Sequence, residues 1–400
     1  MKLALDDVKV IEYGSLISAP YCSKLLADMG ADVIKIEKPG QGDTARNRGP
    51  FLNDIPGRER SGLFLYLNTN KRGITLNLEK ATGQEIFKKL VKEADILIED
   101  TKPGKLLTLG LGYHNLESIN PKLIMTSVTP FGQTGPYKNY KGSDLIGWHM
   151  GGAGYVTPRF VGTTEQEPLR AMQTASFITG ITAAVATMCA LHVQRHTSLG
   201  QQVDVSQLEA VVLLGGPIPA YWPYEHRSRT RASRFALAPI AFLKCKDGWI
   251  CINAVEEHHW RRFVNIMGNP EWADEELFKD TYSRGEYWES LEPLITDWTM
   301  KHTIAEILEA GGKELPIGPV KSVAEIMESR QLKERGFFIE VEHPKAGKLT
   351  YPGAPYRFSR TPWIIRRPAP LLGQHNEDVY CNQLGYTKKE LVKMYEAGII

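Results

Sequence analysis

Apolar positions in the first third of the chain fall into two periods. Val8 to Glu12 is a short apolar run suited to a buried strand, Ala19 to Met29 has helical spacing closed by Gly30, and Val33 to Glu37 is apolar again. That is a β-α-β unit. Strand-like runs recur at Ile74 to Leu78, Ile96 to Ile98 and Leu123 to Val128, separated by helical stretches such as Gly83 to Glu93. Alternation of this kind predicts an α/β fold, a large Rossmann-like domain with a mostly parallel sheet covered by helices on both faces.

After Glu209 the texture changes. Gly215 to Pro219 and Tyr221-Trp-Pro-Tyr224 read as a linker leaving the first domain. The basic run Arg227 to Arg234 reads as a solvated surface or a subunit contact. A smaller α/β domain is expected next, with strands at Ala241 to Cys245 and Trp249 to Ile252 and helices at His258 to Met267 and Ile304 to Ala310. The apolar stretch from Ala175 to Leu191 is interrupted by Ser176, Thr179, Thr182 and Thr187, which favours a buried helix over a membrane span.

With 48 basic and 46 acidic side chains the charges nearly cancel, so no long-range field gathers a nucleic acid and any phosphate binding must be local. Hydrophobic residues at 42% and charged ones at 24% are ordinary for a globular protein. Acids at Asp6 and Asp7 stand where a signal peptide carries its apolar core, which predicts a cytoplasmic chain. Cys22, Cys189, Cys245, Cys251 and Cys381 lack metal-ligand spacing and predict free thiols, with no zinc site. Gly14-Ser-Leu-Ile-Ser lacks the glycines of a dinucleotide loop, so NAD binding is not expected and Glu37 reads as a surface acid at a strand end.

Several strings occur in a telling order: Val8 to Glu12, Ser18-Ala-Pro20, Leu26 to Gly40, Gly42-Asp43, Asn70-Lys-Arg72, Asp95 to Glu99, Lys102-Pro-Gly104, Phe131 to Pro136 and Gly200 to Asp204. Arg335 to Phe338, Phe358 to Pro362 and Leu372 to His375 complete the series. Over nearly the whole chain this order resembles the class III CoA-transferases, which are similar to the α-methylacyl-CoA racemases. The resemblance implies a large domain over residues 1–225, a small domain over 226–325, a return segment over 326–400 completing the large domain, and two chains threaded as interlocked rings. It also implies CoA thioesters as substrates and no tightly bound cofactor.

Enzymes of this family attack the acyl-CoA thioester with an aspartate carboxylate, through a mixed anhydride and an enzyme-bound thioester. In this sequence Ser176 stands at that position. A serine hydroxyl is neutral and needs an adjacent base, so the residue reads as inactive, and its structural reading is a helix N-cap. The racemase branch uses a His and an Asp, and Gly142-Ser-Asp144 lacks the His. Family positions that contact CoA fall on Ser15, Lys38, Lys71, Arg72, Asp100, Thr101, Thr108 and Lys141. Asp100-Thr101 replaces the usual Asn-Phe and Thr108 replaces an Arg, so an added anion and a lost cation are expected to weaken CoA binding.

These readings predict the non-catalytic subunit of a heteromeric CoA-transferase whose homologous partner carries the aspartate. The expected donor is an acyl-CoA such as succinyl-CoA, and the acceptor a carboxylic acid such as an aryl-succinate, as in the heteromeric benzylsuccinate CoA-transferase of anaerobic aromatic degradation. The rival readings are an active homodimer using Asp144 or Glu167, and a scaffold without CoA chemistry.

Overall fold

The computed structural model describes residues 2–158, 167–169, 172–214, 217–226, 228, 230–231 and 237–400, and the side chains of all of these except 217–220. The chain divides into two compact units. Met1–Thr157, Pro168–Arg229 and Phe337–Ile400 form the larger, and Pro158–Glu167 with Thr230–Gly336 the smaller.

In the larger unit the predicted α/β alternation is present as a six-stranded sheet, β3-β2-β1-β4-β5-β6. Its strands are β1 (Lys9–Tyr13), β2 (Asp32–Glu37), β3 (Arg72–Thr75), β4 (Ile96–Glu99), β5 (Ile124–Thr129) and β6 (Gln201–Ser206). Every neighbouring pair is parallel. Successive side chains of a strand face opposite sides, so each face collects every second residue. Ile11, Ile34, Ile36, Ile74, Leu97 and Met125 build the core on one face, under Ile86, Phe87 and Leu90 of the helix Ala81–Lys92. Val10, Val33, Ile96, Ile98, Ile124 and Val128 build the other, under the helices Ser18–Asp28 and Thr174–Thr197.

The long helix Thr174–Thr197 has the length and apolarity to cross a bilayer, yet half of its most apolar window is buried in the unit. Small residues let it approach closely: a Cβ on Gly180 would lie 2.9 Å from the Ser18 carbonyl oxygen. Residues 337–400 return to this unit with an antiparallel hairpin of β10 (Phe338–His343) and β11 (Gly347–Pro352), and a last helix, Lys388–Glu396. Met394, Tyr380 and Val379 pack into the first of the two sheet cores.

The smaller unit holds the antiparallel sheet β7 (Ile240–Cys245), β8 (Gly248–Asn253) and β9 (Ile317–Pro319). Its core joins Leu243, Ile250 and Ile252 to Trp260 and Phe263 of the helix Glu257–Ile266 and to Leu291 and Ile295.

Two local expectations need correction. The stretch read as a linker is helical over Pro217–Glu225, with Gly215 and Gly216 outside the described residues. Pro at a first helical position loses no hydrogen bond, which is why the composition misled. In the basic run Arg227, Arg229 and Arg234 lie outside the described residues, and Arg231 is buried rather than solvated.

A polar pocket at the ends of the parallel strands

Between β1 and β4 the strand order reverses, because β2 and β3 extend the sheet on one side and β5 and β6 on the other. Loops leaving the carboxyl ends of such a pair diverge and open a crevice, the usual ligand position in open α/β sheets. A cavity of about 210 Å³ lies there. Residues 15–18 after β1, Asp100 after β4, Val128 to Pro130 at the end of β5 and Gln207 after β6 line it. Ser143, Asp144 and Ser176 complete the wall.

Ser176 is in this pocket, but it is not an N-cap. The cap position of its helix is Gln173, in the left-handed region at φ 58°, which places Ser176 in the first turn with a backbone N–H lacking an intrahelical partner. Asp144 Oδ1 accepts that N–H at 2.7 Å. Asp144 itself opens a helix, Asp144–Met150, capped by Ser143 Oγ, which accepts from the Ile146 N–H at 3.4 Å. Ser176 Oγ accepts from Gln207 Nε2 at 3.2 Å. Among the described residues no histidine or carboxylate accepts from that hydroxyl, so nothing present would draw off its proton. Gly147 makes room for the Gln207 amide, since a Cβ there would lie 2.6 Å from Oε1.

The loop after β1 is pinned by carboxylates. Asp100 Oδ2 accepts from the Ser15 N–H at 2.8 Å, and Asp43 Oδ1 accepts from the N–H of Leu16 at 2.9 Å. Leu16 is held at φ 62°, a left-handed backbone that leucine adopts only under constraint. Beneath the loop lies a fully buried ion cluster: Lys35 pairs with Glu12 at 2.6 Å and with Asp43 at 2.8 Å, and Lys71 pairs with Glu12 at 2.7 Å. Lys35 also donates to the Gly14 carbonyl at 3.1 Å. Burial opposes the Glu12 charge, but the two ammonium groups outweigh it and draw the carboxyl down to about 2. Burial pushes the Lys71 ammonium down to about 8 against the attraction of Glu12.

This geometry revises the expected CoA contacts. Lys71 is fully buried, bonded to the Pro20 carbonyl and Asn68 Oδ1 besides Glu12. Arg72 is clamped by Asp32 at 2.5 Å and Asp378 at 3.1 Å. Neither offers a free charge to a phosphate. Lys38 and Lys141 are exposed and form no ion pair among the described residues, so the free cations are those two. Thr101 is turned to Glu99 Oε2, to which its hydroxyl donates at 2.6 Å, and Thr108 is exposed with its hydroxyl on the Lys105 carbonyl.

Asp100 was expected to add an anion. Burial instead holds its carboxyl well above the usual carboxylate range, with Asp43 and Glu99 adding to the effect and the Ser15 N–H and Lys35 opposing it. Glu37 is no surface acid: it is buried and takes Arg46 Nε and Nη2 at 2.7 and 2.8 Å. Glu167 is exposed and does not line the pocket. Residues the sequence did not flag are Thr129 and Gln207, and the signal that finds them is their place at or just past the strand ends. Among the described residues no cluster of metal-ligating side chains occurs.

Comparison with known proteins places this geometry in context. The model of CoA-transferase family III matches residues 5–376. A succinyl-CoA–D-citramalate CoA-transferase of Chloroflexus aurantiacus is 34% identical over 99% of this chain and 98% of its own. The beta subunit of a succinyl-CoA–L-malate CoA-transferase from the same organism is 32% identical over 100% and 98%. Among solved structures, a CAIB/BAIF family protein from Brucella suis superposes with a TM-score of 0.85 at 29% identity, covering 96% of this chain and 100% of that one.

Proposed function

The chain belongs to CoA-transferase family III, and on that premise we propose that it is the non-catalytic subunit of a heteromeric, succinyl-CoA-using CoA-transferase. Class III enzymes use CoA thioesters as substrates and need no tightly bound cofactor. The observation that carries the proposal is Ser176: its hydroxyl faces a pocket at the strand ends with an amide, not a base, as its hydrogen-bond partner. Acylation of such a serine would give an ester too stable to hand the acyl group on. A homologous partner chain supplies the aspartate in this reading.

Two further observations support it. Lys71 and Arg72 are engaged within the fold, leaving a CoA site poorer in free cations than the resemblance implies. Apolar side chains also stand exposed on the long helix and its neighbour, with Val185 at 60% and Leu213 at 71%. Unpartnered apolar surface of this kind suits an obligate assembly, here an interlocked one. A relative named as a beta subunit is consistent with a chain that works beside another. We assign the complex to the cytoplasm and its acceptor to the dicarboxylic acids, with citramalate, malate and an aryl-succinate as the first to assay.

The test is co-expression with a family member carrying the aspartate. Transfer from succinyl-CoA should need both chains, persist in Ser176→Ala, and vanish when the partner's aspartate is removed. The second reading, catalysis by Asp144, rests on that carboxylate sharing the pocket with Ser176. Turnover by the isolated chain that survives Ser176→Ala and is lost in Asp144→Ala would establish it instead.

A further inference from the structure

One string singled out in the sequence, Leu372 to His375, does not line the pocket, yet it carries an unusual contact. β3 is an edge strand of the six-stranded sheet, so its outward backbone groups need partners. The return segment supplies them. His375 Nδ1 accepts the Gly73 N–H at 3.0 Å, Asn376 Oδ1 accepts the Thr75 N–H at 2.9 Å, and the Gly73 carbonyl accepts the His375 N–H at 2.9 Å. A second imidazole plays the same part at the hairpin. His343, at the end of β10 and 1% exposed, accepts through Nδ1 from the N–H groups of Lys345 and Ala346 at 3.2 and 3.1 Å, closing the turn to β11. Ala346 packs with Val341 and Tyr351 in a core that also holds Ile17 of the pocket wall.

An imidazole nitrogen accepts a hydrogen bond only while it carries no proton, so these contacts require both rings to be neutral with the proton on Nε2. We propose that the two imidazoles form a pH-sensitive latch that keeps the return segment closed on β3 and on its own hairpin turn, and that releases both contacts in mild acid. Protonation at Nδ1 sets an N–H against one backbone N–H at His375 and against two at His343. The surroundings do not offset that loss. At His343 burial is the largest effect and, with Arg46, pushes the ring below its ordinary 6.5 against Glu59 and the Ala369 carbonyl. At His375 burial again comes first, and Arg367 and Arg72 add to it against Asp378 and the Gly73 backbone. Because the folded values are the lower ones, the latch contributes its full stability above pH 6.5 and loses it as pH falls below that value. Asn70 still holds the Ile364 carbonyl and Arg72 still holds Asp378, whose carboxyl lies below its ordinary value, so the opening is local. It uncovers the β3 edge and loosens the core that holds Ile17, and so reaches the pocket loop from the far end of the chain.

The test is hydrogen exchange of the Gly73, Lys345 and Ala346 amides in the full chain at about pH 7 and about pH 5.5, corrected for the intrinsic pH dependence of exchange. With an unfolded imidazole at 6.5 and a folded one below it, protection of these amides should fall about two- to eightfold at the lower pH, while the β5 amides keep theirs. Asparagine presents its side-chain oxygen where Nδ1 stands and does not titrate. His375→Asn should therefore keep Gly73 protection within about threefold at pH 7 and abolish its acid response, and His343→Asn should do the same for Lys345 and Ala346. His375→Phe, which has no acceptor, should lose Gly73 protection about tenfold already at pH 7. Less than about a twofold fall in the parent, an acid response that survives in an Asn variant at its own contact, or an equal fall across β5 would each overturn the latch. Should a variant fail to fold, the parent's own comparison of these amides with β5 still decides the question.

Discussion

Replacing Glu12 by Gln tests whether the buried ion cluster holds the pocket loop in place. Glu12 is fully buried between Lys35 at 2.6 Å and Lys71 at 2.7 Å and also accepts from Ser23 Oγ. Its carboxyl titrates from an ordinary 4.5 in the unfolded chain to about 2 in the fold. At about 1.4 kcal/mol per pH unit, that gap is worth roughly 3 kcal/mol in favour of the folded state. Because the folded value is the lower one, this contribution is fully present above pH 4.5 and is lost as pH falls through about 2. The Gln variant removes it and leaves the buried Lys71 ammonium without its carboxylate while Lys35 keeps Asp43, so a destabilisation of about 3–5 kcal/mol is expected at neutral pH.

A chain of two compact units need not melt in one step, so the measurement is native-state hydrogen exchange of β1 and β2 amides. Protection there should fall by the equivalent of that free energy, while the amides of β7 and β8 in the smaller unit keep theirs. The parent should also lose β1 protection between pH 4.5 and pH 2.5 and the variant should not. A loss below about 1 kcal/mol, or equal acid sensitivity in both proteins, would refute the idea that the charge pairs outweigh their own desolvation.

Other outcomes follow from single contacts. Asp144→Ala should cost about 1 kcal/mol through loss of the acceptor for the Ser176 N–H, with Asp144→Asn largely restoring it, as read by urea denaturation. Gly147→Ala drives a Cβ to 2.6 Å from Gln207 Oε1 and should destabilise by about 1–3 kcal/mol while displacing the amide from Ser176. Calorimetry with CoA should show weakening of about threefold or more in Lys38→Ala and in Lys141→Ala, whereas Arg72→Gln, whose charge is spent on Asp32 and Asp378, should bind as the parent does.

The strands were legible because parallel strands buried on both faces read as mostly apolar runs. β5, read as Leu123 to Val128, is Ile124–Thr129, and every one of its residues is buried. Lys35 in the middle of such a run was a signal in its own right, since an ammonium there must be paired, and Glu12 and Asp43 pair it. What a linear reading lacks is the distinction between a lysine that faces solvent and one that faces inward. Lys38 and Lys71 look alike as candidate phosphate ligands, and only the packing of the segment at Asn68 to Arg72 against the first helix turns Lys71 to the Pro20 carbonyl. The cap of the long helix lies at Gln173, in the left-handed region that a Gly or Asn would have advertised.

Positions 100 and 176 acquire a joint meaning once both are seen to line one cavity. Against the pattern that the family resemblance implies, position 176 gives up a carboxylate and position 100 gains a carboxyl. Counted along the sequence, the two changes cancel. In the fold they do not, because burial and the neighbouring Asp43 and Glu99 hold the Asp100 carboxyl well above the usual carboxylate range and so disfavour its charge. Relative to that implied pattern, the pocket holds a hydroxyl where an anion suited to attack a thioester would stand. Such an exchange is what the proposed role requires of a subunit retained beside an active partner.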